Sequence, residues 1–157
     1  GFGLLHLPKP QLALKEACRV LKKGGRLAYS VWVPPPENAA FRILNDTLAA
    51  HGSKDAKLPG VEGGEAPLPF FHFSEEKNAK AALAEAGFDA ASVGLEMVSS
   101  AASLKTEDDL FEMFATATAR SRALLEQQSA KELAVIKAAM AATVRSEYRG
   151  VWNVGRG

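Results

Sequence analysis

The sequence predicts an α/β fold, in which helices alternate with strands. Along the 157 residues the pattern is helix, strand, helix, long loop, helix, strand, two helices and a last strand, and such alternation is typical of a sheet covered by helices. The first strand, residues 26–33, is apolar on both faces, which is typical of a strand buried between two layers. Three strands are few for such a sheet, so we expect this strand to lack neighbours within the chain.

The first half of the chain is predicted to place two helices around that strand. The helix before it covers residues 9–23, with apolar residues at helical spacing, and ends at Gly24. The helix after it covers residues 37–50, where apolar residues again form one stripe. Residues 52–73 show no periodicity and contain several prolines and glycines, so we expect a long loop of the kind that forms lids and binding sites.

The second half is predicted to be helical, with two further strands. Thr106 with Asp109, and Ser129 with Glu132, have the spacing of capping boxes and indicate helix starts. The predicted elements are a helix over 74–86, a strand over 92–99, helices from 106, over 120–128 and from 129, and a strand over 148–154. The length suits a single domain over residues 1–157.

The composition excludes several classes of function. Nineteen basic and eighteen acidic residues give a net charge of +1, without the basic excess that nucleic acid or an anionic membrane requires. A single cysteine suggests a reducing compartment, so we expect a cytoplasmic protein. The three histidines and the cysteine share no metal-ligand spacing, so no metal is predicted. No apolar run or leader indicates a membrane span or signal peptide, and without an initiator methionine we expect a trimmed start or a longer parent.

The opening "GFGLLHLPKPQLALKEACRVLKKGGRLAYSVW" resembles part of the class I S-adenosylmethionine (SAM) dependent methyltransferases of the UbiE-like group. It is similar to the loop after their fourth strand, the next helix, the "RVLKPGG" turn and the fifth strand, with Lys23 in place of the proline. Further on, "PFFHFSEEKNAKAALAEAGF" resembles the helix before the sixth strand, and "ATARSRALLEQQ" a helical insertion before the seventh. The resemblance implies a partial Rossmann-like methyltransferase sheet, made of the equivalents of strands 5, 7 and 6.

The resemblance also implies an activity for the parent protein. It is that of a transferase that moves a methyl group from SAM to a small-molecule acceptor. The family's glycine-rich cofactor loop and the acid that holds the ribose have no counterpart in this sequence. We therefore expect this chain alone to be inactive and to bind no SAM, with SAM as the cofactor of the full-length parent.

The first residues are those that the resemblance assigns to chemistry. His6 lies where family members often carry a polar residue at the mouth of the active site, and it would orient a substrate or act as a base. The same resemblance places Gly1, Phe2, Gly3 and Leu5 beside the cofactor. In the alternative interpretation of these residues, the leucines pack while His6 faces solvent.

Three aromatic residues are candidates for a substrate pocket. Trp32 lies at the carboxyl end of the first strand, where ligands bind in open parallel sheets, although core packing is the alternative. Phe70 and Phe71 would close over an apolar substrate, as such loops do in relatives. The alternative is a hydrophobic plug that anchors the long loop.

A second hypothesis is a non-catalytic interaction module that oligomerises. Between Leu27 and Val33 the strand would have an unpaired edge, which favours pairing with a second copy. We therefore expect a homodimer or a larger homo-oligomer through this strand, with exchange of elements between copies as one route to it.

Overall fold

A computed structural model describes residues 1–53, 56, 68–148 and 151–154, with the backbone alone at 100–102 and 151–154. The chain forms two compact units. The first combines Gly1–Pro34 with Gly60–Met97, and the second combines Pro35–Pro59 with Val98–Gly157. Most of the predicted loop over 52–73 lies outside the described residues.

The elements of the described residues are mainly helices. They are α1 (Pro10–Val20), α2 (Ala39–His51), α3 (Glu76–Glu85), α4 (Asp109–Ala117), α5 (Ala119–Leu125) and α6 (Ala130–Glu147), with 3₁₀ turns at Leu4–His6, His72–Ser74 and Ala90–Ser92 and strands β1 (Ser100–Ser103) and β2 (Val151–Val154). β1 and β2 pair antiparallel, with Ser100 opposite Val154.

The predicted α/β fold class is wrong, and with it the partial Rossmann-like sheet of strands 5, 7 and 6. Residues 26–33 and 93–99 belong to no helix or strand, and the ladder that the described residues do form has two short antiparallel strands. Half-buried and exposed residues alternate over 27–31, as in an extended segment. Alternating apolar residues indicate which face of a segment packs against the core. A strand also requires a neighbouring strand with which its backbone forms hydrogen bonds. Among the described residues, the ladder between β1 and β2 includes neither of these two segments.

The first unit is built on α1 and α3. Its buried cluster consists of Leu14, Phe73, Ala82 and Leu83, and the partly buried Leu27, Tyr29 and Val31 pack against it. The extended segment after α1 therefore covers the core with every second side chain, whereas the sequence predicts burial of both faces. Ala28 and Ser30, on the alternate face, are exposed.

The turn between α1 and the extended segment depends on glycine. The helix ends at Val20, three residues before the predicted end, and Gly24 has a φ of +78°. A side chain there would be strained, because L-residues other than glycine rarely adopt a positive φ. The Gly25 N–H then donates to the Lys22 carbonyl at 2.8 Å and closes the turn.

The second unit packs α6 against α2 and α4. The largest fully buried side chains include Phe114, Ile43, Leu44, Leu110, Ile136, Met140 and Val144. The ring centroids of Phe41 and Phe114 lie 5.3 Å apart, so these two side chains form a contact between α2 and α4. All these residues come from helix faces with apolar periodicity, so the core follows directly from the sequence pattern.

The two predicted capping boxes have different outcomes. The Ser129–Glu132 box is confirmed: the Ser129 N–H donates to the Glu132 carboxylate at 2.8 Å, and the Glu132 N–H to the Ser129 hydroxyl at 3.3 Å. At the second predicted box, Thr106 with Asp109, α4 begins at Asp109 itself. The Asp109 carboxylate accepts hydrogen bonds from the Lys105 and Thr106 N–H groups and from the Thr106 hydroxyl. These hydrogen bonds to Asp109 therefore stabilise the turn before α4.

Three carboxyl groups of the second unit make it sensitive to acid. A hydrogen bond with Arg145 lowers the pKa of Glu107. The Thr106 side chain lowers the pKa of Asp109 in the same way, and the Ser129 side chain lowers the pKa of Glu132. Carboxyl groups with a lowered folded-state pKa contribute stability that is present above the unfolded pKa, about 4, and is lost as pH falls through the folded value.

We therefore expect thermal melts to show constant stability of this unit down to about pH 5 and a progressive loss below about pH 4. At about 1 M NaCl the Debye length is about 3 Å. Salt should therefore weaken the stability contributed by the exposed Glu107–Arg145 pair more than the stability contributed by the Glu132 cap. Melting temperatures that do not change between pH 5 and pH 2 would contradict the stabilising role of these carboxylates.

Candidate functional site

The amino-terminal residues lie against the extended segment within the first unit. The Phe2 N–H donates to the Ser30 carbonyl at 3.0 Å, and the Phe2 ring stacks on Trp32 with centroids 4.2 Å apart and an interplanar angle of 17°. Phe2 has a φ of +54°, which is a genuine outlier for a bulky residue. The stack and the hydrogen bond together hold this uncommon backbone conformation.

The structure brings His6 to the aromatic residues that precede α3. The His6 and Phe70 rings meet edge to face with centroids 6.4 Å apart, and Phe70 meets Phe71 in the same way at 5.0 Å. His6 is exposed, while Phe70 and Phe71 are half-buried. The sequence predicts separate roles for these residues, and only the fold places the imidazole beside the predicted substrate wall.

The remaining residues assigned to the cofactor divide into two groups. Gly1, Phe2 and Gly3 are exposed and offer backbone atoms and one aromatic ring. Leu5 is only 9% exposed and belongs to the core. A ligand at this turn would therefore contact residues 1–3, with the Leu5 side chain supporting the turn from beneath.

An open apolar pocket lies beside these residues and was not predicted. It has a volume of about 310 Å³ and is lined by Gly3, Leu4, Leu7, Ala13, Leu14, Ala17, Leu27 and Tyr29. Its walls are the first turn, one face of α1 and the start of the extended segment. The Tyr29 hydroxyl is the polar side-chain group of this lining, and burial raises the pKa of that phenol.

The pocket lining does not fit SAM. SAM carries an ammonium, a carboxylate and ribose hydroxyls, and such groups require matched polar partners when they leave water. Among the lining residues, one phenol and backbone atoms are the polar groups present. We therefore derive no catalytic step through SAM from this pocket.

The described residues hold no cluster of three histidine, cysteine or acidic side chains that would bind a metal ion. Within the same part of the chain, no helix is both long enough and apolar enough to cross a membrane. Cys18 is a free, half-buried thiol, and its sulfur lies 3.3 Å from the position that a Cβ on Gly87 would occupy. The sulfur of Cys18, on α1, therefore lies close to Gly87, which follows the end of α3.

Comparison with known proteins assigns no family. No protein-family model, no curated protein and no solved structure matches this chain. The resemblance to methyltransferases therefore rests on the quoted residues, and what it implies about function is a proposal.

Proposed function

We propose that this chain is the carboxyl-terminal part of a SAM-dependent methyltransferase that methylates a small-molecule acceptor, and that the chain is inactive by itself. The proposal concerns the chemistry of the parent protein and requires no sheet within this chain. Its main support is the opening stretch, where a turn, a helix, a two-glycine stop and an extended segment follow one another. This is the order that the resemblance implies for residues 1–33, apart from the strand pairing.

The aromatic contacts of the first unit support a role for these residues at a substrate site. In methyl transfer the protein mainly aligns the acceptor and excludes water. Phe70 and Phe71 would form an apolar wall for the acceptor, and the Phe2–Trp32 stack would hold the amino-terminal turn in place. His6, exposed at the edge of Phe70, would accept a proton from the acceptor as a general base.

Calorimetric titration of this chain with SAM tests the claim of inactivity. We expect no binding at micromolar concentrations, because the pocket lining lacks charged groups and the sequence lacks the family's glycine-rich loop. Micromolar affinity would show that this chain holds the cofactor by itself and would overturn the claim.

The coding DNA upstream of Gly1 tests the proposed parent. We expect it to encode a strand followed by a glycine-rich loop, and we expect the longer product to transfer a methyl group. In that product His6→Ala should lower turnover by about 10²- to 10⁴-fold, whereas His51→Ala, an exposed histidine of the second unit, should leave it unchanged. An upstream sequence without the loop, or equal activity of the two variants, would contradict the proposal.

A second candidate function is a non-catalytic interaction module. It is favoured by the first unit's exposed apolar side chains, among them Leu12 and Val20, which are 58% and 60% exposed, and by the lack of a ladder partner for residues 26–31 among the described residues. A second copy is the simplest partner. Light scattering that finds a dimer or larger supports that partner, and a monodisperse monomer excludes it.

A further inference from the structure

The apolar pocket of the first unit has no part in the proposed methyl transfer. Its volume is about 310 Å³, and its lining consists of small and aliphatic residues with one tyrosine: Gly3, Leu4, Leu7, Ala13, Leu14, Ala17, Leu27 and Tyr29. Pockets that bind small molecules begin at about 300 Å³, and an apolar cavity of about 150 Å³ in another protein binds benzene. The pocket is therefore large enough for a molecule of up to about twice the size of benzene.

Half of the pocket lining is held in place by the core of the first unit. Leu14 is 2% exposed and belongs to the buried cluster, and Leu4, Leu27 and Tyr29 pack against that cluster. The Tyr29 ring also meets the Phe73 ring of the cluster edge to face, with centroids 6.5 Å apart and an interplanar angle of 77°. These walls therefore exist before a ligand binds, as is usual for small-molecule sites.

The Tyr29 hydroxyl is a polar group in an otherwise apolar set of lining side chains. Within the described residues it forms no hydrogen bond, and burial raises the pKa of the phenol, so the hydroxyl carries its proton at neutral pH. A ligand that displaces water from this hydroxyl loses affinity unless it supplies a new hydrogen-bond partner. We therefore expect the ligand to carry an oxygen atom that accepts a hydrogen bond from Tyr29.

The lining also determines which groups the ligand lacks. Among the described residues, no charged side chain lines the pocket, and an ionic group that left water there would have no partner of opposite charge. A polypeptide segment would bring several backbone N–H and C=O groups, each of which requires a hydrogen-bond partner when it is buried. One hydroxyl among apolar side chains instead matches a neutral molecule with a single polar atom.

We propose that this pocket binds a small neutral molecule with an apolar body and one oxygen atom, and that this oxygen accepts a hydrogen bond from the Tyr29 hydroxyl. The apolar body lies against the side chains of Leu4, Leu7 and Leu27. Binding of this kind requires neither SAM nor another part of the parent protein, so it is independent of the proposed methyl transfer.

Acetophenone, benzoate and benzylammonium provide probes of similar size that differ in charge. In amide NMR titrations of this chain, we expect acetophenone to shift the signals of Leu4, Ala13 and Ala17 and to saturate, with a dissociation constant in the millimolar range or below. Benzoate and benzylammonium should bind about tenfold more weakly or less, because the lining offers no partner for their charge. Absence of saturable shifts at these residues, or equal binding of either ion, would overturn the inference.

The variant Tyr29→Phe tests the hydrogen bond, because it removes the hydroxyl and keeps the ring that packs on Phe73. It should weaken the binding of acetophenone about two- to tenfold and leave that of ethylbenzene, which has nearly the same shape without the oxygen, unchanged. The matched control Tyr148→Phe removes a hydroxyl of the second unit, which accepts from Arg42, and should leave both affinities unchanged. An unchanged affinity of Tyr29→Phe for acetophenone, or equal losses for the two ligands, would overturn the inference.

Filling the pocket gives a second test on the protein. Ala17 lines the pocket on α1 and is half-buried, so Ala17→Leu should weaken acetophenone binding about tenfold or more, because the larger side chain occupies volume that the ligand needs. The matched control Ala81→Leu makes the same change at an exposed position of α3 outside the lining and should bind like the unaltered chain. Equal affinities of two variants with dispersed amide spectra would overturn the inference.

Dilution of the free chain distinguishes a ligand pocket from a surface covered by a second copy. We expect the amide signals of the lining residues to keep their positions on dilution and to move when acetophenone is added. Shifts of these signals on dilution, together with dissociation of a dimer in light scattering, would mean that a second copy covers the pocket and would overturn the inference.

Discussion

Replacing Leu14 by aspartate is expected to unfold the first unit. Leu14 is 2% exposed and belongs to the cluster with Phe73, Ala82 and Leu83, so the new carboxylate would be buried without a partner. Burial of an isolated carboxylate costs more than a small unit's whole stability of about 5 kcal/mol, unless the group takes up a proton. Amide NMR signals of α1 and α3 should collapse into the random-coil region at neutral pH.

The matched control lies two residues away on the same helix. Leu12 is 58% exposed, and Leu12→Asp should leave the spectrum of the first unit intact, with a change in stability within about 0.5 kcal/mol. A dispersed spectrum for Leu14→Asp at neutral pH, or loss of dispersion for Leu12→Asp, would show that the core of this unit has been placed on the wrong helix face.

Replacing Phe114 by alanine is expected to cost the second unit about 3 to 5 kcal/mol of its free energy of unfolding. Phe114 is 1% exposed, and its ring contacts Phe41 with centroids 5.3 Å apart. The substitution removes buried apolar surface and leaves a cavity between α2 and α4. Urea unfolding followed through the amide signals of α6 measures the change within this unit.

Val135→Ala provides the control for that loss. Val135 lies on α6 and is 42% exposed, so its truncation should change the free energy of unfolding by no more than about 0.5 kcal/mol. A loss below about 1 kcal/mol for Phe114→Ala, or similar losses for the two variants, would contradict the helical core described for this unit.

The helices could be predicted from the sequence because the signals that determine them are local. The Ser129–Glu132 box and the apolar stripe of α6 are contained within a few turns, and both have the predicted form. The residue at which a helix ends depends on competition between the helix and the turn that follows it. At α1 the last predicted turn is replaced by the glycine turn, because Gly24 and Gly25 favour leaving the helix early.

The strands could not be predicted in the same way, since pairing is not local. Leu27, Tyr29 and Val31 alternate as a strand would and do cover the core of the first unit. Their backbone nevertheless has no ladder among the described residues. The prediction of a strand buried on both faces is wrong, because Ala28 and Ser30 are exposed and because a strand also requires a paired neighbour that a local apolar pattern does not specify.

The arrangement of the candidate site residues could not be predicted from the sequence. His6 and Phe70 are far apart in sequence, and their edge contact arises because the first turn and the residues before α3 belong to the same unit. The pocket was missed because small residues such as Ala13 and Ala17, which line it, carry no chemical signature.

Hydrogen exchange of the backbone amides tests whether residues 26–31 form an extended segment without a ladder partner, which is the main difference between the described fold and the predicted sheet. In the chain alone at neutral pH, we expect the amides of residues 26–31 to exchange at close to unprotected rates, because their backbone makes so few hydrogen bonds. The amides of Ile136 and Met140, inside α6 and fully buried, should be among the slowest. Protection of residues 26–31 equal to that of α6 would mean that the segment lies in a paired sheet. That result would contradict the description of this segment as unpaired.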